Sequence, residues 1–399
     1  MKALWERASG VPGLESGPAA RSHVRPMSAA PAPLVELHRL GQSIWFDFIR
    51  RDLLDSGALG RMAERDCLMG VTSNPAIFEK AIASGPEYRA DLAAMKELCA
   101  RDPKRAYERL AIADIQRACD QLAPVHASSG GRDGYVSLEV SPKLAHDTAG
   151  TLEEARRLWS EVARANLMIK VPATKAGVPA IRALIAEGVH VNVTLLFSVD
   201  AYLAVADAYM GGLEERAVRG GRIDATSSVA SFFVSRVDTA LDPRLDALAS
   251  DPARAATAAK LRGKIAIANA KRAYQSYIGI SASPRWQALA ARGARPQRLL
   301  WASTGTKDAR YSDVLYVEEL IGPDTVNTVP PTTLDAFRER GRARASLVEG
   351  AAEAQAQLDQ LALLGLDLDA TCEQLLAEGV KLFDTAFDKL LAAVAAQGK

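Results

Sequence analysis

The stretch TLEEARRLWSEVARANLMIKVPA, residues 151–173, changes its period halfway along. Residues 151–165 place apolar side chains at helical spacing behind Thr151, with Glu154 three residues on, the pattern of a capped helix start. The last seven, LMIKVPA (167–173), form a β-type run rich in apolar residues that ends at a proline and a small residue. A helix feeding a strand is half of the repeating unit of a parallel sheet. The unit recurs on both sides of this stretch. Upstream lie the β-type runs SIWFDFI (43–49), CLMGVTS (67–73) and YVSLEV (135–140). Downstream lie HVNVTLL (190–196), ATSSVASFFVS (225–235), RLLWAST (298–304) and DTVNTVP (324–330).

Helical patterns fill the gaps. Residues 175–187 and 199–210 read as helices, the long gap 75–134 as two or three, and 253–277 as one long helix within the gap 236–297. The Ala/Leu-rich segment 333–396 is also helical in pattern. Eight β-runs alternating with helices predict an α/β fold, a (β/α)8 TIM barrel with extra helices. The rival is a doubly wound open sheet, which favours a glycine-rich phosphate loop after its first strand. Here FIRRDLL follows the first run, and neither GxGxxG nor GxxxxGK[ST] occurs.

Composition sets the outer limits. The 399 residues carry 49 Lys and Arg against 48 Asp and Glu, so charge gives no reason to expect nucleic acid or an acidic membrane as partner. No run approaches 18 uninterrupted apolar residues, so no membrane-spanning helix is expected. Cys67, Cys99, Cys119 and Cys372 form no CxxC pair, which suits reduced thiols in a cytoplasmic compartment. The five histidines are scattered without HxH or HExxH, so no metal site is expected. Residues 1–32, rich in Ala, Pro, Ser, Gly and Arg, read as a disordered leader, or, up to residue 26, as an artefact of a true start at Met27. Residues 33–399 read as a single barrel domain.

In a barrel the chemistry collects at the C-terminal ends of the strands, so polar residues inside apolar runs are the informative ones. Lys170 sits in LMIKVPA with apolar neighbours on both sides. One reading is a strand-end lysine that reaches solvent or pairs with a carboxylate. The other is a desolvated amine, neutral part of the time and able to attack a carbonyl. Its surroundings favour the second. Glu139 lies in the preceding run, and Asn192 and Thr194 lie in the next, two residues apart and so on one face. Asp47 lies inside SIWFDFI, and Asn74 follows GVTS. Five successive strands thus carry a hydrogen-bonding or ionisable residue near the same end. Schiff-base chemistry needs that kind of array. A carboxylate such as Glu139 and a hydroxyl such as Thr194 would handle the water, Asp47 would take the hydroxyl proton that triggers carbon–carbon cleavage, and the asparagines would fix substrate hydroxyls. Ser231 and Phe233 in the sixth run, Arg236 just beyond it, and Ser303 and Lys307 after the seventh suit a phosphate, since late barrel loops commonly bind one. Arg236 could instead cap a helix or pair with Asp238.

The segments GVTSNPAIF, LMIKVPAT, VNVTLLFS, SFFVSRVD and WASTGTKD, in this order, resemble transaldolase, and most closely its longer bacterial type. The resemblance covers about residues 35–395. It implies Lys170 as the Schiff-base lysine, Glu139 and Thr194 as the pair that handles the catalytic water, and Asp47 as the acid and base of bond cleavage. It implies Asn74 and Asn192 as amides that hold substrate and intermediate, and Ser231, Arg236 and Ser303 as groups around the sugar phosphate. It further implies transfer of a dihydroxyacetone unit between sugar phosphates in the pentose phosphate pathway, with no metal or organic cofactor, by a cytoplasmic monomer or homodimer. One position departs: where the shorter transaldolases carry an arginine, this chain has Gly305, and Lys307 is the expected substitute charge. Phe233 matches transaldolases, whereas related aldolases carry tyrosine there. Two alternatives are a fructose 6-phosphate aldolase using the same lysine and a sugar-phosphate isomerase barrel without Schiff-base chemistry.

Overall fold

The eight β-type runs pair in chain order. In the computed structural model, which describes residues 32–398, they form β1 (Gln42–Phe46), β2 (Leu68–Val71), β3 (Tyr135–Glu139) and β4 (Leu167–Pro172). They continue as β5 (Val191–Leu196), β6 (Ser228–Phe233), β7 (Arg298–Ala302) and β8 (Thr325–Val329). Each pairs in parallel with the next, and β8 pairs with β1, closing a barrel. The predicted TIM barrel is the observed fold. The predicted leader lies, up to residue 31, outside the described residues. No described helix is long and apolar enough to cross a membrane.

Several predicted helix boundaries need correction. The expected cap at Thr151 is wrong: the helix runs Thr148–Val162, and Asp147 caps it by accepting from the Gly150 amide at 3.0 Å. The gap 75–134 holds more than the two or three helices expected. Pro75–Ser84, Arg89–Ala94, Lys96–Arg101 and Pro103–Ser128 all form there. The segment 253–277 is not one helix but two, Ala255–Leu261 and Ile265–Ala282. They part at Gly263, whose φ of 63° ends the first helix. Asp242 fixes this corner by accepting from the Gly263 amide at 3.1 Å.

The helices cover the outer faces of the strands, and their apolar stripes join one continuous core. The barrel interior is unusually polar. At its N-terminal end the buried Asp133 accepts from Ser43 Oγ at 2.8 Å, Trp45 Nε1 at 3.1 Å and Arg298 Nη2 at 2.9 Å. Burial alone would push this carboxyl up, but Arg298 and the other donors outweigh it and hold Asp133 below the usual aspartate range. The cluster ties β1, β7 and the approach to β3 into a plug beneath the site. Midway up, Asn192 donates to Ser137 Oγ at 2.9 Å and accepts from Ser231 Oγ at 2.7 Å, so one amide links β3, β5 and β6 across the interior.

The helix Leu368–Ala396, started by an Asp367 cap, crosses back over the barrel. It packs on the helices Pro75–Ser84 and Pro103–Ser128 and on β5. At that contact β5 bulges, and Leu195 takes a left-handed φ of 61°. Its side chain lies against Gly379, where an added Cβ would come within 2.9 Å of Leu195 Cδ2.

The plug gives a direct stability test. Arg298→Met should leave Asp133 buried without its main counter-charge and cost ~3–5 kcal/mol in urea unfolding. A loss below ~1 kcal/mol would contradict this account of the barrel floor.

Candidate active site

The register of the central strands decides which side chains meet. Glu139 of β3 pairs with Lys170 of β4, and Lys170 pairs with Asn192 of β5. The three lie in one row across the sheet. Lys170 Nζ donates to Glu139 Oε2 and to the Ser73 carbonyl, at 3.0 and 3.1 Å. Both partners of the ion pair are buried, with side-chain exposures of 6% and 5%. Phe383, from the helix that crosses the barrel, stands over the amine with its ring centre 5.5 Å away. Lys170 therefore does not reach solvent as an ordinary strand-end lysine would.

The amine opens into a cavity of about 540 Å³ at the C-terminal end of the barrel. Nine of the eleven predicted site residues line it: Asp47, Asn74, Lys170, Thr194, Ser231, Phe233, Arg236, Ser303 and Lys307. Glu139 joins through its bond to Lys170. Asn192 is the other residue that does not line the wall. It is fully buried and held by Ser137 and Ser231, so it meets the cavity only through the Ser231 hydroxyl.

Asp47 follows β1 directly. Burial pushes its carboxyl above the usual aspartate range, opposed by the charge of Lys170, a hydrogen bond from Thr72 and the charge of Lys307. Thr72 Oγ1 donates to Asp47 Oδ1 at 2.7 Å and lies 2.7 Å from Thr328 Oγ1. With the Thr72 proton given to Asp47, Thr328 is the donor to Thr72. Glu139 is also raised by burial, opposed by Lys170. The site thus holds two carboxyls whose affinity for a proton is raised by burial, around one amine. Thr194 Oγ1 is buried and has no partner among the described residues, so its bonding capacity faces the cavity. Asn74 caps the helix Pro75–Ser84, accepting from the Ile77 amide at 3.0 Å, and its amide donor remains for the cavity.

The cavity lining also carries cations. Arg236 lies in the first turn of the helix Ser235–Ala247, whose positive end faces the cavity. Its guanidinium lies 5.3 Å from the centre of the Phe233 ring, and among the described residues it makes no hydrogen bond or ion pair. Burial pulls it below the usual arginine value, opposed by Glu378. Neither structural reading of Arg236 holds: Asp238 instead accepts from the Ala266 amide and from Tyr316 Oη, at 2.8 and 2.9 Å. Ser303, with φ 55°, accepts the Ser235 amide at 3.0 Å and brings its hydroxyl 3.1 Å from Ser235 Oγ. At Gly305 an added Cβ would come within 3.2 Å of Thr333 Oγ1 and 3.4 Å of Pro330 Cγ. The turn after β8 fills that space, and Lys307 carries the charge to the cavity.

Sequence reading missed Thr72, Thr328 and Phe383. The two threonines sit in quoted β-runs and carry the same signal as Thr194. Phe383 occupies an ordinary apolar position of a helix, and its sequence context gives no sign of the site.

A family model described as transaldolase/fructose-6-phosphate aldolase matches residues 44–394. A transaldolase of Thiobacillus denitrificans is 51% identical over 359 residues, covering 90% of this chain and 98% of its own length. A transaldolase 2 of a Nostoc species is 49% identical over 364 residues, covering 90% of this chain and 95% of its own. A transaldolase of Neisseria meningitidis is 48% identical over 359 residues, with 90% and 98% covered.

The carboxyl environment can be checked without assaying any reaction. In carboxyl-carbon NMR, Asp47 should titrate above the ordinary aspartate range. Thr72→Val, which removes a donor to the charged form, should move it further up. Titration at or below the ordinary value in both proteins would refute the assigned environment.

Proposed function

The chain belongs to the transaldolase/fructose-6-phosphate aldolase family, and from that premise we propose that it transfers a dihydroxyacetone unit between sugar phosphates through a Schiff base on Lys170. The observation that carries the lysine assignment is the buried pair of Lys170 and Glu139, with the amine opening into a cavity that Arg236 and Lys307 also line.

Glu139 accepts a proton from the ammonium at 3.0 Å, leaving an amine that attacks the ketone carbon of the donor. Carbonyl and ammonium become an iminium and one water, with no net proton gained or lost. Glu139 shuttles the protons, and the Thr194 hydroxyl binds the departing water. Asp47, charged, then takes the proton of the hydroxyl beyond the breaking bond. The carbon–carbon bond parts, its electrons flow into the iminium, and an aldose phosphate leaves. An aldehyde acceptor reverses the sequence, with Asp47 returning the proton. Arg236, Ser231 and Ser303 suit the phosphate, with Lys307 as a further charge at the cavity edge.

Transfer is favoured over simple aldol release by the relatives, whose names are all transaldolase, and by Phe233, which presents an apolar ring where a hydroxyl could help water discharge the intermediate. A place in the pentose phosphate pathway and in the cytoplasm accords with this reading.

Borohydride reduction in the presence of fructose 6-phosphate should leave an adduct on the peptide bearing Lys170. Lys170→Ala should abolish the adduct and lower turnover by about three orders of magnitude or more; activity within about ten-fold of wild type would exclude the role. In pre-steady-state kinetics, Glu139→Gln should slow adduct formation more than it weakens substrate binding. The reverse order would count against water handling by Glu139.

A further inference from the structure

Glu139 has a second face, away from the cavity that Lys170 opens into. There it lines a small space of about 10 Å³ behind β3, between the helices Pro103–Ser128 and Thr148–Val162. That is room for about one water molecule. The other polar walls are Tyr107, Glu108 and Lys104 from the first helix, Glu154 from the second, and Ser141 just after β3. Glu154 accepts from the Ser141 amide at 2.6 Å and pairs with Lys104, whose side chain is 37% exposed. The space therefore lies between the active-site carboxyl and an ion-pair cluster that reaches the outside of the barrel.

Tyr107 is the unexplained member. Its ring is buried, held edge-on by Phe78 and Phe387 at centroid distances of 5.7 and 5.9 Å. Its hydroxyl makes no hydrogen bond among the described residues. The hydroxyl is not fully sealed off, and a phenol in such a place normally finds a partner, water included. Burial, with the negative charges of Glu108, Glu139 and Glu154, pushes the phenol well above its ordinary value, which keeps it a proton donor. A residue serving only as packing would be as well supplied by phenylalanine.

We propose that one ordered water in this space accepts from the Tyr107 hydroxyl and donates to Glu139 and Glu154, making Tyr107 a positioning residue for the reaction. The water fixes the Glu139 oxygen that Lys170 does not hold, and it steadies the charged form of the carboxylate. It also links Glu139 to the Glu154–Lys104 pair, so the carboxyl exchanges protons with the outside while substrate fills the mouth. The groups that face Glu139 are Lys170 and, across the mouth, Asp47. On the hidden side they are Tyr107, Glu108, Lys104 and Glu154.

The inference rests on the Schiff-base reading, and its test keeps the two apart. Tyr107→Phe in the full chain should leave KM within about two-fold and slow single-turnover adduct formation with fructose 6-phosphate about ten-fold. The acid limb of that rate should move to higher pH, because loss of a donor destabilises the carboxylate. A high-resolution crystal structure of the wild type should show a water within hydrogen-bonding reach of Tyr107 Oη and Glu139. A rate–pH profile that superimposes on the wild type, or a wild-type crystal structure with no water there, would overturn the inference while leaving the Schiff base intact. The crystallographic arm decides the matter if the variant does not fold. Wild-type protein that turns over without any trapped adduct would instead overturn the reading on which this one stands.

Discussion

A buried ammonium and a buried carboxylate, 3.0 Å apart, organise the molecule. Taking either ion out of water costs several kcal/mol, so each is tolerable only beside the other. That requirement fixes the register of β3 against β4, because a slip of one residue would turn Glu139 or Lys170 outward into the helix layer. Once the pair is placed, neighbouring positions inherit roles. Ser73 supplies a carbonyl to the amine, Phe383 roofs it, and Asp47 lies close enough to feel its charge.

The pair also accounts for the polar interior. Barrels of this kind are normally packed with branched apolar residues. Here the floor is an Asp133–Arg298 pair with its hydroxyl and indole donors, and the middle is the Ser137–Asn192–Ser231 chain. Each polar group in these layers is satisfied by a neighbour. The exception in the layer above is Thr194 Oγ1, which has no partner among the described residues. Satisfied layers below and an unsatisfied group above separate what holds the barrel from what keeps its bonding capacity for the cavity.

The fold was legible because branched and aromatic runs recur eight times between helical patterns. Lys170, Glu139 and Thr194 were legible for a different reason: polar residues in such runs have few structural uses. What escaped reading depends on distance in sequence. The break at Gly263 is fixed by Asp242, 21 residues upstream, and a lone glycine in a helical stretch does not announce it. Asp147 and Thr151 both fit a helix start, and only the backbone decides between them. Alternation places Asn192 inside the barrel but not at what depth, and the depth comes from Ser137 and Ser231 on other strands. The place of Gly305 is set by the turn after β8, which no local pattern describes.

The roof over Lys170 comes from a helix that follows all eight strands in the chain. Synthesis runs from the N-terminus, so the nascent protein can close its barrel before Phe383 has been made. During that interval the amine lacks its aromatic cover, and the left-handed turn at Leu195 lacks the glycine surface it lies against. Chain order therefore makes the cover of this site its last part to leave the ribosome. Lys170 gains its full enclosure only after all eight strands have been made.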